Sequence, residues 1–186
     1  MMITTTHLSS LTRSQIALRW LPTFVGFPLG GYIATQIVGP VDDVPAALIG
    51  GAVAGAILGA VQWFGLRRTR LRPLPWVLAT ATGFAVGLAA GAAVVDFRTN
   101  IRALAVQGAV CGALVGSAQA VALVRHSRRL AAAWPLFLAG LWALGWTVTT
   151  AAGIDVEAQY TVFGSSGALV VTACTSVLAM TLRTDE

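Results

Sequence analysis

The sequence predicts an all-α fold: a polytopic membrane protein whose six transmembrane helices form three parallel helical-hairpin repeats, the third degenerate. Three features carry that prediction. They are apolar runs of membrane length, span interiors nearly free of charge, and a chain that aligns with itself when shifted by one hairpin. Of the 186 residues 56% are hydrophobic and 10% charged, whereas a soluble domain carries about 25% charged residues because its whole surface faces water. The mean hydropathy of +0.78 points the same way.

A bilayer core is about 30 Å thick, so a helix needs about 20 apolar residues to cross it. Runs of that length lie at 17–38, 45–66, 76–95, 103–124, 131–150 and 160–182. Arg19, near the start of the first run, is the only charge placed inside a span. Turn signals fill the gaps at Gly39-Pro40-Val41-Asp42-Asp43, Pro73-Leu74-Pro75 and Gly153-Ile154-Asp155. Pro22 and Pro28 should kink the first span, since each removes a backbone donor. That span is expected to be retained rather than cleaved as a signal peptide: its run is long, no small-x-small site follows it, and it belongs to the repeat. The resulting organisation is a cytoplasmic polar tail, 1–15, followed by a single six-helix transmembrane domain, 16–186.

Orientation follows from the arginines, which supply all twelve basic side chains. Arg13, Arg19, Arg67, Arg68, Arg70, Arg72, Arg125, Arg128, Arg129 and Arg183 fall on one side, and Arg98 and Arg102 on the other. Asp42, Asp43, Asp96, Asp155 and Glu157 share that second side. Both termini are therefore expected to be cytoplasmic in a multi-pass protein of the plasma membrane. The cluster Arg67, Arg68, Arg70 and Arg72 is foremost a topology signal, and it is also a candidate site for anionic lipid head groups. The acids of the outer gaps read as solvated loops or as a cation-attracting rim.

Shifting the chain by 57 residues aligns 19–68 with 76–125 without a gap, and 16 of 50 positions are identical. A degraded third copy, about 132–182, places Gly164, Ala168, Thr172 and Ser176 opposite Gly108, Gly112, Gly116 and Ala120. Trp20, Trp76 and Trp134 open the three copies. Each copy holds two spans, so successive copies keep one orientation and the repeats are parallel rather than inverted.

Between apolar helices in lipid, association depends on close packing and interhelical hydrogen bonds. Small residues four apart make the flat stripes that this needs: Gly26 and Gly30; Gly51, Gly55 and Gly59; Gly83, Gly87 and Gly91; Gly108, Gly112 and Gly116. Such stripes either hold the helices of one chain together or dock the chain against itself or a membrane-protein partner. A second row, Ala52, Ala56 and Ala60, runs beside the first complete glycine stripe. Gln62 and Gln119 form the candidate polar pair. Each lies on the face of its glycine stripe near the cytoplasmic end, as interfacial glue or as part of a polar ring around a vestibule. Cys174 and Thr175 stand near that position in the third copy. Thr161, Ser165, Ala168, Thr172 and Ser176 share one face of the last span, for packing or for a water-lined path. Trp20, Trp63, Trp76 and Trp134, all near cytoplasmic ends, read as an aromatic belt.

The chemistry that is missing narrows the function. Without Lys there is no Schiff base and no Lys-dependent phosphate loop. His7 and His126 sit in polar segments, and Cys111 and Cys174 lie in spans, where Cys is a small packing residue. The span interiors hold no Asp, Glu or His, the usual markers of proton relays and coupled transport. No catalytic residue, cofactor site or metal site is expected, and the charge of +5 reflects inner-facing loops rather than nucleic-acid binding.

The pattern Gly51 to Trp63, a G-A-x-x-G-A-x-x-G-A-x-Q-W run after a Trp-led helix, resembles that of uncharacterised bacterial multi-hairpin, glycine-stripe integral membrane proteins. The resemblance spans most of the chain and implies no assigned activity. In length and helix count alone the chain is also similar to substrate-binding subunits of vitamin transporters, but its parallel repeat is not theirs. The expectation is a non-catalytic integral membrane protein that packs or assembles through small-residue helix faces. The rival is a small channel or facilitator for an ion or small solute, lined by Gln62, Gln119 and the hydroxyl face of the last span.

Overall fold

The computed structural model describes residues 13–67, 69–153 and 164–182. The polar tail up to residue 12, Arg68, Asp155, Glu157, Thr161 and Arg183 lie outside the described residues. Among those described, regular structure is helical: α1 (Arg13–Trp20), a 3-10 turn (Leu21–Val25), α2 (Gly26–Val38), α3 (Val44–Leu66), α4 (Pro73–Val94), α5 (Ile101–Leu123), α6 (Arg128–Ala151) and α7 (Ser165–Thr181). Five segments are long and apolar enough to cross a membrane: Ala17–Val38, Val44–Leu66, Pro73–Val94, Ile101–Leu123 and Arg128–Ala151. α7 is apolar but shorter over its described residues.

The first span is interrupted where the prolines predict. Pro22 cannot donate to the carbonyl one turn back, and α-helical bonding gives way to the 3-10 turn between α1 and α2. The starts of α3, α5 and α6 are fixed by short polar side chains accepting a bond from an otherwise orphaned backbone N–H. Asp43 Oδ1 accepts from Ala46 N at 2.7 Å, Asn100 Oδ1 from Ala103 N at 3.0 Å, and Ser127 Oγ from Leu130 N at 3.2 Å. α4 instead begins on Pro73, where a missing N–H costs nothing because the first turn has no acceptor for it. α2 ends at Gly39 with φ of +73°, a conformation that glycine adopts without steric penalty. α4 ends differently: Asp96 and Phe97 both take φ of +54°, and Phe97 N donates to Ala92 O at 2.9 Å.

The helices form a ring in chain order. Each span packs on the next, and α7 closes the ring against α6 on one side and α1 with the 3-10 turn on the other. The glycine stripes lie at these seams, and each faces the helix that follows it. A Cβ added at Gly30 would lie 2.9 Å from the Ala54 carbonyl oxygen; at Gly55, 2.8 Å from that of Thr80; at Gly91, 2.7 Å from that of Gln107. Cβ atoms essentially never come within 3.0 Å of such neighbours, so only glycine permits these approaches. The outward faces carry Leu29, Tyr32, Ile49, Phe64, Val86 and Leu136, all exposed and apolar, as a lipid-facing surface requires.

Candidate functional site

The bundle centre is aromatic. Trp142 of α6 meets Phe84 of α4 edge-on with ring centroids 4.9 Å apart, and Phe27 of α2 at 5.9 Å. Beneath this cluster, toward the ends of α3 and α5, three indoles point inward. Trp20, Trp76 and Trp134 are 1%, 0% and 2% exposed. This corrects the aromatic-belt reading. A belt residue lies at the lipid boundary, whereas these three lie in the protein core, and of the four only Trp63 is half-buried. The physical reason is helical phase. Trp76, Thr80, Gly83 and Gly87 recur at helical period on α4, so the indole shares the face that the glycines turn inward.

Gln119 is the hub of the polar groups around them. Its Nε2 donates to Thr80 Oγ1 at 2.9 Å, and its Oε1 accepts from Trp134 Nε1 at 2.8 Å. Thr80 in turn donates to the Trp76 carbonyl at 2.9 Å. One fully buried carboxamide therefore ties α4, α5 and α6 together. On the far side of the ring, Trp20 Nε1 donates to Thr175 Oγ1 at 3.2 Å, and Thr175 donates to the Thr172 carbonyl at 3.1 Å. That bond joins the first helix to the last. Gln62 Oε1 and Trp76 Nε1 are buried and find no partner among the described residues. Gln62, Gln119, Trp20, Trp76, Trp134 and Thr175 line one cavity of about 10 Å³.

The candidate polar pair, Gln62 and Gln119, is thus brought together around one space, while the hydroxyl face of the last span divides. Ala168, Thr172 and Ser176 are buried against the bundle and Ser165 is exposed. Thr80, and the three indoles as buried donors, were missed from sequence. The usable signal was the identity of Thr23 and Thr80 in the 57-residue alignment, together with a Trp opening each copy. Of the arginine cluster, Arg67 turns back onto its own helix: Nη1 donates to the Phe64 carbonyl at 3.1 Å, and the guanidinium lies 4.0 Å over the Phe64 ring. A cation there satisfies the carbonyl end of α3. Arg70 and Arg72 are exposed. At the opposite end of the bundle an open cleft of about 580 Å³ is lined by Arg98, Asn100 and Arg102 with Val94, Val95 and Val106. Cys111 is buried in α5 and Cys174 exposed on α7, both as free thiols. Among the described residues no three His, Cys, Asp or Glu side chains gather into a metal-binding group.

Fold and surface define a multi-pass helical membrane protein, built for a lipid bilayer around a small, buried polar core. No protein-family model, curated protein or solved structure matches the chain.

Proposed function

We propose that the chain is a non-catalytic integral membrane protein of the plasma membrane, with both termini cytoplasmic and three parallel hairpins, that acts by packing and assembly. Its glycine faces hold its own spans together, and it associates with itself or a membrane-protein partner through the rows left outward, Ala52, Ala56 and Ala60 among them. What carries this reading is the approach of the next helix's backbone to within 3.0 Å of the Cβ positions of Gly55, Gly91 and Gly108, which leaves those faces no further surface to offer. The channel reading draws on Gln62 and Gln119. It has less support, because about 10 Å³ around them accommodates one water-sized molecule rather than a path, and Gln119 is held at both ends of its carboxamide.

Native mass spectrometry after gentle extraction tests the proposal. The expected result is a defined oligomer or a retained membrane-protein partner, which Gly55→Leu and Gly112→Leu abolish because the protomer that presents the outer rows no longer closes. Unchanged complexes in both variants would overturn it. So would a partnerless monomer whose liposomes pass an ion or small solute at a rate that Gln119→Leu alters.

A further inference from the structure

We propose that the cavity beside Gln62 is a binding site for one water molecule, which accepts a hydrogen bond from Trp76 Nε1–H and donates one to Gln62 Oε1. The two protein atoms are buried and lack a partner among the described residues, and Gln62 and Trp76 line the same small cavity. A buried unpaired N–H or carbonyl costs about 1–3 kcal/mol, so such groups are nearly always satisfied.

The aligned copies show what the pair would otherwise do. Trp134 bonds directly to Gln119, and Trp20 directly to Thr175, the residue standing near that glutamine position in the third copy. Trp76 and Gln62 are the corresponding pair, but their spacing differs. Gln62 precedes Trp76 by 14 residues, whereas Gln119 precedes Trp134 by 15. The separations run across connections of different length: six residues part α3 from α4 and four part α5 from α6. Trp76 therefore lies three residues past the start of α4 and Trp134 six past that of α6, and the first pair meets its neighbour at a different reach that a bridging molecule can make up.

Size and chemistry select the bridge. A cavity of about 10 Å³ is at the threshold for a single water and excludes anything with a second heavy atom. The bridging molecule must both accept and donate, which an ammonium ion cannot do because it has no lone pair. A buried water typically makes about three hydrogen bonds. For its second hydrogen, Gln119 and Thr175 line the same cavity, and Gln119 Oε1 and Thr175 Oγ1 each keep a lone pair beyond the bond accepted from an indole.

The test is proton NMR of the full chain in detergent micelles with ¹⁵N-labelled tryptophan, the six indole signals assigned by Trp→Phe variants. A long-lived bound water gives the Trp76 indole proton a cross-peak to water with the sign of dipolar contact in both laboratory-frame and rotating-frame spectra. That peak should be stronger than those of the Trp20 and Trp134 indoles, and Gln62→Leu should remove it while the Trp134 signal stays in place. Absence of a water peak at Trp76, a peak with the sign of chemical exchange, or one no stronger than at Trp20 and Trp134 would overturn the proposal. The wild-type spectrum decides the matter even where Gln62→Leu fails to fold.

Discussion

Gly112→Ala and Gly140→Ala add the same methyl group to two helical glycines, and the structure assigns them opposite outcomes. At Gly112 the added carbon would overlap the Leu138 carbonyl oxygen and lie 2.8 Å from the Leu138 carbonyl carbon and 2.9 Å from Trp142 Cβ. Ordinary contact begins at 3.4 Å, so α5 and α6 must separate by roughly half an ångström or more, because backbone cannot move aside as a side-chain tip can. The seam cannot pivot to absorb this. Gly108 above meets the Trp142 carbonyl oxygen at 2.7 Å, and Gly116 below meets Pro135 Cα at 2.6 Å. Overpacking of this kind costs about 1–3 kcal/mol, and replacing a helical Gly with Ala returns up to about 1 kcal/mol. With all three nearest atoms under 3.0 Å, Gly112 falls at the upper end of that cost, and Gly112→Ala should lose about 2 kcal/mol net. Gly140, exposed with nothing within 4 Å of its added carbon, should show only the propensity gain of up to about 1 kcal/mol. Reversible unfolding by sodium dodecyl sulfate in mixed micelles, followed by Trp fluorescence, measures both. A Gly112→Ala protein as stable as the wild type, or a Gly140→Ala protein weakened to the same degree, would refute the claim that backbone contact at the α5–α6 seam requires glycine.

Gln119→Leu and Trp134→Phe should each destabilise by about 1–3 kcal/mol, since each strands a buried partner, while the double variant falls short of their sum by about 0.6–1.7 kcal/mol, the range of interhelical hydrogen bonds in membrane proteins. The same unfolding assay run as a double-mutant cycle gives that coupling, and strict additivity would mean that the bond contributes nothing. Trp20→Phe should loosen the closure of α7 on α1 and raise proteolysis near the chain ends, with Thr175→Val producing the same pattern in limited digestion. Asp96→Gly should gain about 1 kcal/mol by relieving a left-handed backbone on a residue with a Cβ, read as a higher melting temperature; no gain would mean that the local hydrogen bonds already offset the strain. A single cysteine introduced at Asp42 in a chain stripped of native Cys should react with an impermeant maleimide on intact cells, and one at His126 only after permeabilisation; the reverse pattern would invert the orientation.

The helices were legible in the sequence because span length and turn chemistry are local properties. The run 45–66 corresponds to α3, Val44–Leu66, and 103–124 to α5, Ile101–Leu123. The starts differ where the apolar run is a poor guide. α4 begins three residues early, on Pro73, because a proline read as a turn signal also serves as a first helical residue. α6 begins on Arg128, since Ser127 caps it and a helix can continue past the apolar run into polar surroundings.

The polar core was only half legible, and the difference lies in what a pairing requires. Gln62 and Gln119 stood out because a carboxamide among glycines has few reasons to be there. The indoles were misread because proximity to a span end and orientation about the helix axis are separate coordinates, and the belt rule uses only the first. Phase supplies the second: Trp20, Thr23, Phe27 and Gly30 recur at helical spacing, as Trp76, Thr80, Gly83 and Gly87 do, and a residue in line with a packed glycine stripe cannot face lipid. Even so, phase settles only that these side chains turn inward. That Gln119 takes its bond from Trp134, a helix further on, and that Trp20 crosses the ring to Thr175, depends on how the ring closes. Closure is a property of all the helices together, which no single stretch of residues encodes.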